Sequence, residues 1–136
     1  MTALHMAASG GHCGVIKELL NSKADVNAKT RYGDTPLHMA TVKGRNDAVA
    51  MLLNSCADVN VKNKNKMTAL HVVLFLRTVR RHDIMNELIN FHADVNVKDI
   101  NGDTPLSIAH RTKDAEAIRI LLNNGAKSNK GKCVVM

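Results

Sequence analysis

The fold of this chain is decided by two phrases, Thr35-Pro36-Leu37-His38 and, 22 residues further on, Ala57-Asp58-Val59-Asn60. The first phrase recurs after 33, 33 and 36 residues, and the second recurs after 33, 36 and 33. The other copies are Thr2-Ala3-Leu4-His5, Thr68-Ala69-Leu70-His71 and Thr104-Pro105-Leu106-Ser107 for the first phrase, and Ala24-Asp25-Val26-Asn27, Ala93-Asp94-Val95-Asn96 and the weaker Ala126-Lys127-Ser128-Asn129 for the second. A fixed period of this size indicates a solenoid, in which stacked supersecondary units contact only their neighbours.

The phrases, their period and their phase resemble the ankyrin repeat over residues 2 to about 129. The resemblance implies an all-α solenoid of four stacked helix–loop–helix repeats with short β-hairpin loops. We assign the repeats approximately to residues 1–29, 30–62, 63–98 and 99–129, and a basic C-terminal tail to residues 130–136. The resemblance also implies that the histidine of the first phrase hydrogen-bonds within the turns of its own neighbourhood.

The second repeat shows why the pattern forms helices. Thr35 can accept a backbone N–H at the start of the first helix, and Pro36 fits the first helical position, where its missing donor costs nothing. Gly44 supplies the positive φ that favours a helix end, and Asp47 lies near the positive pole of the second helix. Apolar residues at helical spacing are predicted to face the neighbouring repeats. They are Ala48, Val49, Leu52 and Leu53.

Several positions depart from the family pattern. The glycine expected before the second phrase is replaced by Lys23, Cys56 and His92, and only Gly125 keeps it. Two further lysines stand in place of glycines, Lys66 in the third hairpin and Lys113 at the end of a first helix. A residue other than glycine at positive φ costs about 1 kcal/mol. These replacements therefore predict a natural, modestly stable array.

The first repeat begins at its own phrase, without the hairpin that precedes the other copies. We expect one apolar side of Leu4, Ala7 and Ala8 to be exposed as a result. Met1 is either a true start or the edge of a longer protein.

The third repeat is three residues longer than the others, and the extra residues lie between His71 and Asp83. We predict a lengthened first helix followed by a longer inter-helix loop. Two interpretations are open. The insertion is either tolerated passively, since longer loops cost little free energy, or it forms part of a partner site. The residues of that site would be Phe75, Arg77, Arg80 and Arg81.

Reactive chemistry is not predicted. The seven histidines and three cysteines show no zinc-ligand spacing, and no glycine-rich phosphate loop or nucleophile motif occurs. We therefore predict no enzyme, no cofactor and no metal, and a function in binding. The odd cysteine count and the lack of an export signal favour reduced thiols in a cytosolic or nuclear compartment. No apolar run is long enough to cross a bilayer.

The net charge of +7 suits an acidic partner or an anionic surface. Proteins of the resembled family commonly bind partners with their hairpin tips and the adjacent concave surface, and basic residues recur there in successive repeats. This is either a solvated face or a groove for an acidic peptide or protein.

Nucleic acid is a weaker option because base stacking needs aromatic residues. A monomer is expected. The predicted partner-binding residues are Arg31, Tyr32, Lys43, Arg45, Lys64, Phe75, Arg77, Arg80, Arg81, Ile100, Arg111 and Lys113.

The final residues, Cys133-Val134-Val135-Met136, resemble a prenylation box of the type that receives farnesyl. Lys127, Lys130 and Lys132 lie upstream, as a second electrostatic signal for membrane binding would. The alternative is an ordinary apolar tail. We expect a cytoplasmic adaptor, with membrane association through Cys133 if it is lipidated. The second hypothesis for function is a regulatory repeat segment of a larger protein, such as an enzyme or a channel.

Overall fold

The computed structural model describes residues 1–78 and 80–127, which form eight helices arranged as four consecutive helix pairs. The first helices of the pairs pack on one another in one layer, and the second helices pack in another layer. The described residues contain no β-strand, and none of their helices is long and apolar enough to span a membrane. The pairs are α1 (Ala3–Gly10) with α2 (Cys13–Asn21), α3 (Pro36–Val42) with α4 (Asn46–Asn54), α5 (Ala69–Val73) with α6 (Arg81–Asn90), and α7 (Pro105–Arg111) with α8 (Ala115–Asn123).

The first helices begin where the repeated phrase predicts. Thr35 has extended backbone geometry, and its hydroxyl accepts the backbone N–H of His38 at 3.3 Å. Thr104 caps α7 in the same way, with the N–H of Ser107 at 3.2 Å. Pro36 occupies the first helical position, as predicted. The phrase thus determines where each first helix starts, because it satisfies backbone donors that the helix itself leaves unpaired.

The core is an apolar seam between the two helix layers. Ala48, Val49, Leu52 and Leu53 are buried, as their helical spacing predicts. Leu4, Ala7 and Ala8 are also buried, so the expectation that they are exposed was wrong. Their side chains are covered because α1 packs directly against α3 as well as against α2. The exposed apolar residues of the first pair are Met1, Met6 and Val15.

The positions that lack the family glycine keep the backbone conformation that glycine would adopt. Lys23, Cys56 and His92 have φ of 70°, 71° and 71°, and Lys66 and Lys113 both have φ of 58°. These positive-φ positions confirm the prediction made from the repeat pattern. Each substitution is therefore a local strain of about 1–2 kcal/mol that the packing of the array sustains.

The third pair differs from the others between its helices. The predicted lengthening of its first helix was wrong, since α5 has only five residues, whereas the predicted longer loop is present. Beyond Val73 the backbone N–H groups of Leu74, Phe75 and Leu76 bond to carbonyls three residues back rather than four. α5 ends in this tighter winding, in which Leu74 is buried and Leu76 is half-buried. We call residues 74–78 the insertion segment.

Candidate protein-interaction surface

The histidines of the repeated phrase connect each helix pair to the next. The backbone N–H of Thr35 donates to Nδ1 of His38 at 3.1 Å, so Nδ1 is unprotonated and Nε2 carries the hydrogen. Nε2 then donates to the carbonyl of Met67, in the following hairpin, at 2.9 Å. Equivalent bonds run from His5 to the carbonyl of Asp34 at 2.9 Å and from His71 to that of Asp103 at 3.1 Å. The bonds expected within the histidine's own turn are confirmed. The bond from each histidine to the next helix pair was not predicted.

The asparagines of the second phrase make a parallel set of connections that sequence reasoning missed. The side-chain oxygen of Asn60 accepts the backbone N–H of Asp94 at 2.8 Å, and its amide donates to the carbonyl of His92 at 3.3 Å. Asn27 accepts from the N–H of Asp58, and Asn96 accepts from that of Lys127, each at 2.8 Å. The recurrence of asparagine at the fourth position of the phrase was the available signal.

These connections hold the hairpin turns in a continuous row. Within the first turn, the N–H of Thr30 donates to the carbonyl of Asp34 at 2.9 Å. Between turns, the N–H of Lys64 donates to the carbonyl of Tyr32 at 3.0 Å, and the N–H of Ile100 to that of Asn65 at 2.9 Å. The turns therefore stack as a backbone ladder without forming strands. We call the predicted partner-binding residues that lie exposed on these turns the tip row. They are Arg31, Tyr32, Lys64 and Ile100.

The first turn carries an aromatic and basic surface. Tyr32 is 59% exposed, and the guanidinium carbon of Arg31 lies 5.0 Å from the centre of its ring. A nitrogen of the same guanidinium donates to the Tyr32 hydroxyl at 2.9 Å. Met1 and Met39 lie beside this pair in a cavity of about 370 Å³. This end of the tip row therefore offers both charge and apolar contact area.

The remaining predicted residues lie in a second row at the opposite end of the first helices. Because α3 and α7 each have seven residues, about 10 Å of helix separates the two rows. The structure therefore places the predicted groove residues along two edges of the first-helix layer. We call the second edge the loop row. It consists of Lys43, Arg45, Phe75, Arg77, Arg80, Arg81, Arg111 and Lys113.

Three of the arginines in the loop row are engaged within the molecule. Arg45 donates from Nε to the carbonyl of Ser9 at 3.0 Å. Arg81 donates from Nε to Asp114 at 2.9 Å, and Arg111 pairs with Asp103 at 2.6 Å, reaching back across α7 toward the hairpin turn. Sequence reasoning could not detect these contacts because each joins residues from different helix pairs or opposite ends of a helix.

Other cations are available to a partner. Arg80 lies 3.7 Å from Asp83, with both side chains well exposed, an arrangement that contributes little stability. Within residues 1–78 and 80–127, no ion pair involves Lys43, Lys64, Arg77 or Lys113. These exposed cations project a positive field toward solvent from both rows.

Asp114 is a buried carboxylate whose hydrogen bonds connect the third and fourth pairs. It caps α8 by accepting the N–H of Ala117 at 3.1 Å, and it accepts from Nε2 of His82 at 2.9 Å in addition to Arg81. Burial alone would raise the pKa of Asp114, but the hydrogen bonds from Arg81, Ala117 and His82 outweigh it and lower the pKa below its ordinary value. Asp114 therefore stays ionised and its charge is compensated internally.

Metal binding and the chemistry of the cysteines were also considered from the sequence. The described residues contain no group of three or more side chains that could hold a metal ion. Cys13 is half-buried and Cys56 is exposed, and both are free thiols. Cys133, the predicted lipidation site, lies outside the described residues, as do Lys130 and Lys132.

Comparison with known proteins identifies the repeats. A family model described as ankyrin repeats (3 copies) matches residues 1–63 and again residues 50–132. A search of curated proteins found no match. Ankyrin repeats generally mediate protein–protein interaction and are typically non-enzymatic. The two matches together span nearly all of the sequence and agree with the helix pairs, the threonine caps and the stacked hairpin turns, and so the chain belongs to the ankyrin-repeat family.

Proposed function

We propose that this chain is a monomeric, non-enzymatic adaptor that binds an acidic surface of a partner protein. The observation that carries the proposal is the tip row, in which backbone hydrogen bonds align the exposed side chains of Arg31, Tyr32, Lys64 and Ile100. A pre-aligned row loses little conformational entropy on binding. Tyrosine and arginine are also the residue types most often found at the energetic centres of protein interfaces.

Charge supports an acidic partner. The chain carries a net charge of +7, and Lys64 of the tip row and Lys43, Arg77 and Lys113 of the loop row lack acidic partners among the described residues. Complementary charge accelerates encounter and disfavours basic partners. The same surface favours protein over nucleic acid, because Tyr32 and Phe75 are the only exposed aromatic residues among those described.

We test the proposal by reversing three of these charges together, in the variant Lys43→Glu, Lys64→Glu, Arg77→Glu. Binding of a labelled poly-glutamate peptide should weaken by at least about tenfold and lose much of its salt dependence. The matched control reverses three exposed lysines outside the two rows, Lys17, Lys23 and Lys98. Both variants should keep the parent's helical circular dichroism spectrum. Equal weakening in the two variants would show that net charge, rather than this surface, governs binding.

We also propose that the tail tethers the adaptor reversibly to the cytoplasmic face of a membrane through a farnesyl group on Cys133. Its support is the order of residues in the sequence, with three lysines upstream of the cysteine. One lipid chain alone binds membranes weakly, so the lysines would add a needed second signal. Protein made in cells with prenyl transferases should gain the mass of one farnesyl group, and Cys133→Ser should not. An unmodified parent would contradict the tether and leave a soluble adaptor.

A regulatory segment of a larger protein is the alternative function. In that case the tip row and loop row would contact another part of the same polypeptide instead of a separate partner. Co-purification of the chain, made alone, with a partner that the charge-reversed variant fails to retain would favour the adaptor.

A further inference from the structure

The insertion segment borders a pocket of about 260 Å³ between the third and fourth helix pairs. Leu74, Phe75, Leu76 and Arg77 line one side of it, and Thr112 and Asp114 line the other. Pockets for drug-sized ligands have volumes of about 300–1,000 Å³. This smaller pocket is suited to one side chain of a bound peptide.

The segment supplies an apolar side to the pocket. Leu74 is buried and Leu76 half-buried, whereas Phe75 is 48% exposed. The tight turns after Val73 wind the chain with about three residues per turn, so these three side chains point in different directions. An apolar group entering the pocket would cover the exposed part of Phe75, which is favourable in proportion to the area removed from water.

The pocket is basic at the edge next to this apolar side. Arg77 is exposed and makes no ion pair within the described part of the chain. Asp114 is the one carboxylate among the residues that line the pocket, and it already pairs with Arg81 and accepts a hydrogen bond from His82. Lys113, between the lining residues Thr112 and Asp114, adds positive charge nearby. A carboxylate of a partner would therefore find an unpaired cation beside the apolar side.

The pocket is held in shape by Arg81. Its Nε donates to Asp114 at 2.9 Å, and its Nη1 donates to the carbonyl of Thr78 at 3.0 Å. The backbone N–H of Arg81 bonds to the same carbonyl at 3.4 Å. One guanidinium thus ties the insertion segment to the start of α8. A peptide that binds here would not have to order the segment first, which lowers the cost of binding.

We propose that this pocket binds a partner peptide that presents an aliphatic side chain next to a carboxylate. The aliphatic group packs on Phe75 and Leu76, and the carboxylate pairs with Arg77. The inference rests on the proposed function, since it specifies the chemistry of the acidic partner. It assigns the insertion a recognition role that charge alone does not provide.

Four labelled hexapeptides test the inference. Each has a central leucine or alanine, flanked on both sides by glutamates or by glutamines, and binding is measured by fluorescence anisotropy at low salt. The leucine peptide with glutamates should bind tightest, and loss of either the leucine or the glutamates should weaken binding at least about tenfold. Amide NMR shifts on binding should concentrate at residues 74–78 and 112–114.

Two variants at exposed positions separate the contributions. In Phe75→Ala, leucine should lose its advantage over alanine, and in Arg77→Gln, glutamate should lose most of its advantage over glutamine. Lys17→Gln, at an exposed position of α2 outside both rows, is the control and should change neither ratio.

Two kinds of result would overturn the inference. If the leucine and alanine peptides with glutamates bind equally, or if Phe75→Ala and Arg77→Gln change neither ratio, the pocket is not the recognition site while the proposed function stands. If no glutamate peptide, poly-glutamate included, binds the parent chain, both proposals are wrong.

Discussion

The second and third helix pairs begin and end in the same way, but they differ in the turn between their helices. Both begin with a threonine cap whose histidine bonds to the next hairpin, at 2.9 Å from His38 and 3.1 Å from His71. Both end in a non-glycine residue at φ of 71°, Cys56 and His92. Between their helices, however, the second pair turns through Gly44 at φ of 68°, whereas the third has the insertion segment. The array thus constrains the contacts between pairs and leaves the inter-helix turn free to change.

The largest effect is expected from replacing a buried leucine that occupies the same position in each of the two pairs. Leu52 in α4 and Leu88 in α6 are both fully buried. Replacing either with alanine should lower the free energy of unfolding by about 2–5 kcal/mol, because each leaves a cavity in a packed seam. Urea denaturation of both variants measures the losses. A much smaller loss for Leu88→Ala would mean that the insertion has loosened the third pair.

Removing the histidine bond should have a smaller effect in both pairs. His38→Ser and His71→Ser each leave a hairpin carbonyl without its donor, at a cost of about 1–3 kcal/mol. Serine is a suitable replacement because Ser107 already makes the local bond to the N–H of Thr104, at 3.4 Å, in the fourth pair. A loss in one variant only would show that the two pairs use the phrase differently.

The same variants should change the pH dependence of stability. Burial lowers the pKa of His38 and of His71 below the ordinary value of 6.5. In the range just below pH 6.5 the unfolded chain therefore binds more protons than the folded chain. The stability that these two buried, neutral histidines contribute is therefore fully present above pH 6.5, and it is lost as the pH falls below that value. The variant that combines His38→Ser and His71→Ser should lose less of its free energy of unfolding between pH 7.5 and pH 5.5 than the parent. An equal loss in the two proteins would contradict a role of these histidines in the pH dependence.

The smallest expected effect is at the positive-φ positions that end the two pairs. Cys56→Gly and His92→Gly should each stabilise the array by about 0.5–1 kcal/mol, because the relief of left-handed strain exceeds the extra entropy of glycine in the unfolded chain. Thermal unfolding of the two variants measures the gain. Their effects should be equal, and a loss of stability in either one would show that its side chain contributes more than its strain costs.

The repeated phrases predicted the parts of the structure that depend on local chemistry. Thr35, Pro36 and Gly44 act as expected because a cap, a ring and a positive φ are properties of one residue and its near neighbours. The longer loop of the third pair was predicted, but the lengthening of its first helix was wrong, because the sequence does not display the core into which Leu74 packs. The engagement of Arg81 by Asp114 was missed for the same reason, since 33 residues separate them.

The division of the predicted surface into two rows follows from the sequence. Arg31 and Lys64 precede the threonine that starts a first helix, whereas Lys43 and Arg77 follow that helix. The structure places Lys43 and Arg77 at one end and Arg31 and Lys64 at the other. A partner that contacts both rows must therefore extend along the first helices.

The bonds made by His38 and Asn60 all point the same way along the chain, from an earlier pair to the backbone of a later one. A polypeptide leaves the ribosome N-terminus first, so each newly formed pair presents a histidine donor and an asparagine whose partners have not yet been synthesised. The arrival of the next hairpin satisfies them. For the first three pairs, the repeated phrases thus make each pair's hydrogen bonds complete only when the hairpin that follows it has docked.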